Sequence, residues 1–209
     1  MLDRRLIVQT IALGLAGSLS ATAFAQGPSG LLEAGPLPEK SFGAADAPVT
    51  VIEYASLTCH HCMNFHTRTW PDFKAKYVDT GKVRFIIREF PLDPLAMAGF
   101  MLARCAGEEK WYAVVDMFYR TQEGWAHSDK PLDGLTQAMR QAGMGKDGVE
   151  ACLKREDLYL GIRQVSERGK SFGVDSTPTF FVDGEKHAGA LTLAQFDAIL
   201  APLLAKAGK

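Results

Sequence analysis

One junction limits what this chain can fold into. A strand-like run, Val49-Thr50-Val51-Ile52-Glu53-Tyr54-Ala55, leads through three residues into Cys59-His60-His61-Cys62, and a helix-like stretch follows. Two cysteines separated by two residues where a strand gives way to a helix read as a thiol redox centre. The free amides and the dipole of such a helix face the first sulfur and favour its thiolate. Two imidazoles between the cysteines can add to that effect.

The pattern around the junction sets the class. Pro71 should break or restart the helix, since proline removes a backbone donor and clashes with the preceding turn. The helix resumes through Phe73 to Val78 and stops at Gly81. Val83 to Phe90 reads as a second strand, ended by Pro91 and Pro94. From Leu95 to about Phe172 the patterning is helical, with breaks at Gly107, Gly124, Ser128 to Pro131 and Met144 to Gly148. Four or five helices are expected there. Thr179-Phe180-Phe181-Val182 is strand-like, and Asp183-Gly184 turns it into a short partner around Lys186 to Ala188, a good hairpin signal. Thr192 caps a last helix, Leu193 to Ala205, with Phe196, Ile199, Leu200 and Leu203 on one face. A β-α-β unit enclosing an all-helical insert and closed by β-β-α is an α/β arrangement.

The N-terminal quarter reads differently. Arg4 and Arg5 precede an apolar stretch from Leu6 to about Leu19, and Ala23-Phe24-Ala25 is a small-x-small cleavage site. Residues 1–25 are therefore expected to be a secretory signal, leaving a soluble, exported chain that begins at Gln26. A membrane anchor is the weaker reading, because Gln9, Gly14 and Gly17 interrupt the apolar part. No later stretch approaches the roughly 18 apolar residues of a membrane span. Residues 26–45 are rich in Gly, Pro and Ala and read as an extended lead-in, with the domain proper at 46–209. The formal net charge of −1 argues against nucleic acid and acidic lipid as main partners. In an oxidising compartment the four cysteines should pair or do chemistry.

The order of elements and three segments resemble the DsbA-like family of periplasmic thiol oxidases, a thioredoxin fold with an inserted all-helical subdomain, here about 95–172. The segments are Ala47 to Tyr54, Cys59-His60-His61-Cys62, and Ser176-Thr177-Pro178-Thr179-Phe180-Phe181-Val182-Asp183-Gly184. The resemblance implies a role for each site residue. Cys59 would be the attacking sulfur, exchanging through a thiolate and a mixed disulfide. Cys62, one turn on, would be the buried resolving sulfur. The two residues between them tune the potential. His61 stands where the strongly oxidising members carry histidine, whereas His60 departs from the usual proline. Glu53 shares a strand face with Val49, Val51 and Ala55. It resembles the family's buried acid, which shuttles the proton of the resolving thiol. Some members pair that acid with a lysine on the second strand, for which Arg88 is the nearest cation here, with Ile86 or Ile87 in the lysine's place. Thr177-Pro178 looks like the family's cis-proline site, with the Thr177 backbone offered to an extended substrate. Cys105 and Cys152 match a second, structural disulfide found in some relatives, though two separate buried thiols are the alternative. His66 reads as a surface or core histidine rather than a ligand.

Three functions compete at this point. The leading one is an oxidase that donates its Cys59–Cys62 disulfide to newly exported, unfolded proteins. It would need no cofactor beyond that disulfide, act as a monomer, and be reoxidised by a DsbB-like membrane partner linked to quinone. A reductase or isomerase of the same fold is the second, although residues 26–47 look short for the dimerisation segment that isomerases carry. A periplasmic copper- or zinc-binding protein using Cys59, His60, His61, Cys62 and His66 is the third.

Overall fold

The computed structural model describes residues 27–208, so the expected signal and its cleavage site at Ala25 lie outside the described residues. Five strands form one mixed sheet: β1 (Lys40–Phe42), β2 (Val49–Ala55), β3 (Val83–Glu89), β4 (Thr179–Val182) and β5 (Glu185–Ala188). Their order is β1-β3-β2-β4-β5. Only β2 and β3 run parallel; β1 is antiparallel to β3, β4 to β2 and β5 to β4. The parallel pair needs a crossover. The helical segment after the two cysteines supplies it. That segment consists of α1 (His60–Asn64) and α2 (Trp70–Phe73), with wide π-turns at Phe65–Thr69 and Lys74–Val78. Pro71 is the second residue of α2, directly after the first π-turn, so the helical segment is rewound around the proline rather than broken.

Strand alternation divides the interior in two. Val49, Val51 and Ala55 of β2, Val83, Phe85 and Ile87 of β3, and Phe180 and Val182 of β4 face the larger core. Phe65, Trp70, Phe73 and Phe196 fill that core against the sheet. Ile52, Tyr54, Ile86 and Phe181 face the other way, into a smaller cluster with Leu31, Phe90 and Val174. Gly169 of α8 (Glu156–Ser171) lets the helix lie on this second face, because a Cβ there would sit 2.7 Å from Tyr54 Cε1.

Two parts of the expected layout change. The lead-in is not a bare tether. Within it Lys40–Phe42 form β1, whose three residues carry too little alternation to announce a strand, and Leu31 is buried. The helical insertion holds six helices among the described residues rather than four or five. They are α3 (Pro94–Cys105), α4 (Trp111–Arg120), α5 (Gln122–Ala126), α6 (Pro131–Gln141), α7 (Lys146–Leu153) and α8. The short α5, a single turn after α4, is what a pattern of breaks cannot separate. The hairpin turns through Asp183 and Gly184, both with positive φ, as the Asp-Gly pair suggests. The last helix, α9 (Leu193–Lys206), starts with a capping box between Thr192 and Gln195. No helix among the described residues is long and apolar enough to cross a membrane.

Candidate active site

The site forms where the end of β2 meets the start of β4. Cys59 is the N-cap of α1, with extended backbone (φ −80, ψ 118), and its carbonyl accepts the first helical bond from Met63 at 3.0 Å. The helical insertion clamps the loop that leads to it. Gln122 of α5 is buried and donates from Nε2 to the carbonyls of Leu57 (2.7 Å) and Cys59 (3.2 Å). Thr58 donates to Asp93, the residue that also caps α3 by accepting from the Ala96 amide at 2.8 Å.

The two thiols have opposite surroundings. Cys59 is half-buried and Cys62 is fully buried. The pKa of Cys59 is lowered to about 5, chiefly by a hydrogen bond from the Cys62 thiol to its sulfur. Burial opposes the shift, while Thr177 and the amides of Cys62 and His61 reinforce it. Burial pushes the Cys62 thiol well up, and the hydrogen bond to Cys59 and the nearby charge of Glu53 add to it. At neutral pH one sulfur is thus a ready nucleophile and the other holds its proton.

The other predicted residues fall around this pair. The Thr177–Pro178 bond is cis. In its thiol form Cys59 Sγ donates to the Thr177 carbonyl at 3.2 Å, and the Thr177 hydroxyl is buried beside them. His60 and His61 are both exposed on the first turn of α1. His61 reaches the Cys59 sulfur through its backbone amide, and His60 lies 3.8 Å from the exposed carboxylate of Glu123. Such an exposed pair contributes little. Glu53 is fully buried on the β2 face that carries Val51 and Ala55, close enough to influence Cys62. Cys105 and Cys152 are joined in a disulfide that ties α3 to α7, remote in sequence from the redox pair.

The side chain that partners Glu53 is not Arg88. Ile87 stands opposite Glu53 in the ladder, and Arg88, one residue on, points to the other face beside Tyr54. The partner is His66. Its Nε2 lies 2.9 Å from Glu53 Oε2 and its Nδ1 lies 3.2 Å from the Tyr112 hydroxyl, with both Glu53 and His66 at 0% side-chain exposure. The signal was present in the sequence. Cys62 and His66 are four residues apart and share a helix face, and Cys62 and Glu53 both belong under Cys59.

This placement also disperses the metal-ligand set. His66 turns inward to Glu53 while His60 and His61 face solvent. Among the described residues no group of three or more His, Cys, Asp or Glu side chains is arranged to hold a metal ion.

Known proteins agree with the geometry. A thioredoxin family model matches residues 38–201. The solved structure of alpha-DsbA1 from Wolbachia pipientis has a TM-score of 0.74 and 30% identity, covering 82% of this chain and 94% of that one. A relative from Rickettsia bellii named as a protein-disulfide oxidoreductase is 31% identical over 147 residues, which is 68% of this chain and 56% of the relative. The chain thus spans about half the length of the curated relatives it matches first. A structure described as a protein-disulfide isomerase from Novosphingobium aromaticivorans, at 23% identity and a TM-score of 0.69, shares the fold. A strand that ends in a half-buried, acidified thiol, a buried second thiol and a facing cis-proline lie on a thioredoxin sheet with a helical insertion, and the chain belongs to the thioredoxin family, in its DsbA-like branch.

Proposed function

We propose that this chain is a thiol:disulfide oxidase that donates its Cys59–Cys62 disulfide to newly exported, unfolded proteins. The observation that carries the reading is the asymmetry of the two thiols. A client thiolate attacks Cys59 Sγ of the oxidised pair, the Cys59–Cys62 bond breaks, and Cys62 leaves and takes up a proton. A second client thiolate then attacks the client sulfur of the mixed disulfide, and Cys59 leaves as a thiolate. Two electrons pass from client to enzyme. A leaving group acidified to about 5 departs readily. Stabilising its thiolate also stabilises the reduced enzyme, which makes the oxidised form the stronger oxidant.

The open Cys59 sulfur beside Thr177 and cis-Pro178 suits an extended chain laid along the start of β4, with affinity drawn from backbone pairing. The enzyme acts as a monomer in the periplasm after cleavage near Ala25. A DsbB-like, quinone-linked membrane protein takes its electrons. His60 and His61 tune the potential.

The deciding experiment is the reduction potential of the Cys59–Cys62 pair against glutathione, with Cys105 and Cys152 replaced by serine. A value near about −120 mV supports the oxidase, whereas one near about −270 mV belongs to a reductant and ends the reading. Refolding of a scrambled substrate separates oxidase from isomerase.

A further inference from the structure

Building on the redox reading above, we propose that His66 is the positioning residue through which protons reach and leave Glu53, along a buried path that begins at the Tyr112 hydroxyl and ends at the Cys62 sulfur. Glu53 uses only one oxygen on His66. Its Oε1 is buried without a partner, on the strand face beneath the cysteines. An unpaired carboxylate oxygen in such a place is costly unless it has work to do. His66 has both ring nitrogens engaged, one on Glu53 and one on Tyr112. Its plane is fixed by stacking on Tyr119, with centroids 4.6 Å apart and planes 9° from parallel. It sits on the π-turn at Phe65–Thr69, a wide turn of the kind that often marks a working residue.

The path balances with one proton. In one arrangement the Tyr112 hydroxyl donates to Nδ1 and Nε2–H donates to the Glu53 carboxylate. A proton arriving at the Tyr112 oxygen shifts both bonds. Nδ1 takes the tyrosine proton, Nε2 gives its own to Oε2, and tyrosine keeps the incoming one. Glu53 is then a carboxylic acid and can protonate Cys62 when that sulfur leaves the disulfide. The reverse sequence removes the proton when Cys62 attacks. Imidazole suits this because one nitrogen accepts while the other donates, which an ammonium cannot do. The titratable groups that face His66 among the described residues are Glu53 from β2, Tyr112 and Tyr119 from α4, and Cys62 from its own helix. Burial raises both tyrosines, so each remains a hydroxyl at neutral pH.

The test is rapid-quench reduction of the oxidised protein by a dithiol peptide, in H2O and D2O, from pH 5 to 9. His66→Gln keeps a hydrogen bond to Glu53 but cannot relay a proton. It should slow release of Cys62 by about tenfold or more at pH 7, flatten the pH profile and reduce the solvent isotope effect. Tyr112→Phe removes only the outer contact and should reduce both the rate and the isotope effect by a smaller factor. If His66→Gln does not fold, Tyr112→Phe decides alone. Variants with the wild-type rate, profile and isotope effect overturn the role of His66 while leaving the redox reading in place. Wild-type protein that does not exchange with the peptide at all removes the redox reading itself.

Discussion

The two faces of the sheet each bury an ionisable side chain, almost back to back, and treat it in opposite ways. Arg88 of β3 is almost fully enclosed on the smaller face. Its guanidinium donates to Glu39 from Nε (2.9 Å) and Nη2 (2.7 Å), to the Leu31 carbonyl (2.7 Å) and the Tyr54 hydroxyl (3.1 Å) from Nη1, and to the Glu33 carbonyl (3.1 Å) from Nη2. Every nitrogen is engaged, and the partners include three residues of the lead-in. Glu53 of β2 faces the larger core with one oxygen bonded and one free. A buried charge with all its bonds made fixes structure. One left incomplete beside a reactive sulfur retains the capacity to exchange a proton. The difference shows how to separate a structural charge from a working one: count the bonds rather than the depth.

The largest effect should come from Arg88. Arg88→Met leaves Glu39 without its main partner and frees the lead-in, and should cost about 3–5 kcal/mol in urea denaturation. Exchange rate per folded molecule should not change. A slowed exchange would break the contrast between the faces.

Next in size is the disulfide, which stabilises the larger face without touching Glu53. Replacing both Cys105 and Cys152 with serine opens a 47-residue separation and should lower stability by about 3–4 kcal/mol, read from the same denaturation curves. The titration of Cys59 should stay where it is.

The third test uses pH. The Cys59 thiol is depressed from 9.0 to about 5 on folding of the reduced protein. Its thiolate therefore stabilises the reduced form fully above the unfolded value, and that contribution disappears as pH falls through about 5. Cys62, raised by burial, acts in the opposite sense, and its contribution is lost only as pH rises past the ordinary thiol range. Reduced protein should thus exceed oxidised protein in urea midpoint at pH 7 and converge toward it near pH 4. Equal midpoints at both values would mean that Cys59 is not acidified.

Glu53→Gln should have the smallest effect on stability, within about 1.5 kcal/mol, because glutamine can still bond His66. The exchange rate at pH 7 should nonetheless fall by about a hundredfold. A large stability loss with an unchanged rate would make Glu53 a second Arg88.

What could be read from the sequence followed short-range periodicity. Alternation placed Glu53 on the face of Val49, Val51 and Ala55, the Cys59 cap followed from a strand meeting a helix, and Asp183-Gly184 announced its own turn. What was hidden depended on contacts between distant segments. β1 is too short to show a period and exists because β3 offers it an edge. The partner of Glu53 was sought on the neighbouring strand, but the ladder puts Ile87 there and the hydrogen-bond partner comes from the crossover helix. Alternation also carries Arg88 to the opposite face, so the strand cation that stood as the candidate partner lies across the sheet from the acid. Gln122 gave no signal at all, since its task is to hold two carbonyls more than sixty residues away.

The order of the cysteines has a consequence for how the protein is made. A chain that emerges N-terminus first shows Cys59, Cys62, Cys105 and Cys152 in turn. The first two are the adjacent free thiols of the site, and the structural bridge joins the last two. Each cysteine therefore meets its own partner before any later one appears. Pairing in order of appearance therefore yields the Cys105–Cys152 bridge seen in the fold without any pair having to be exchanged.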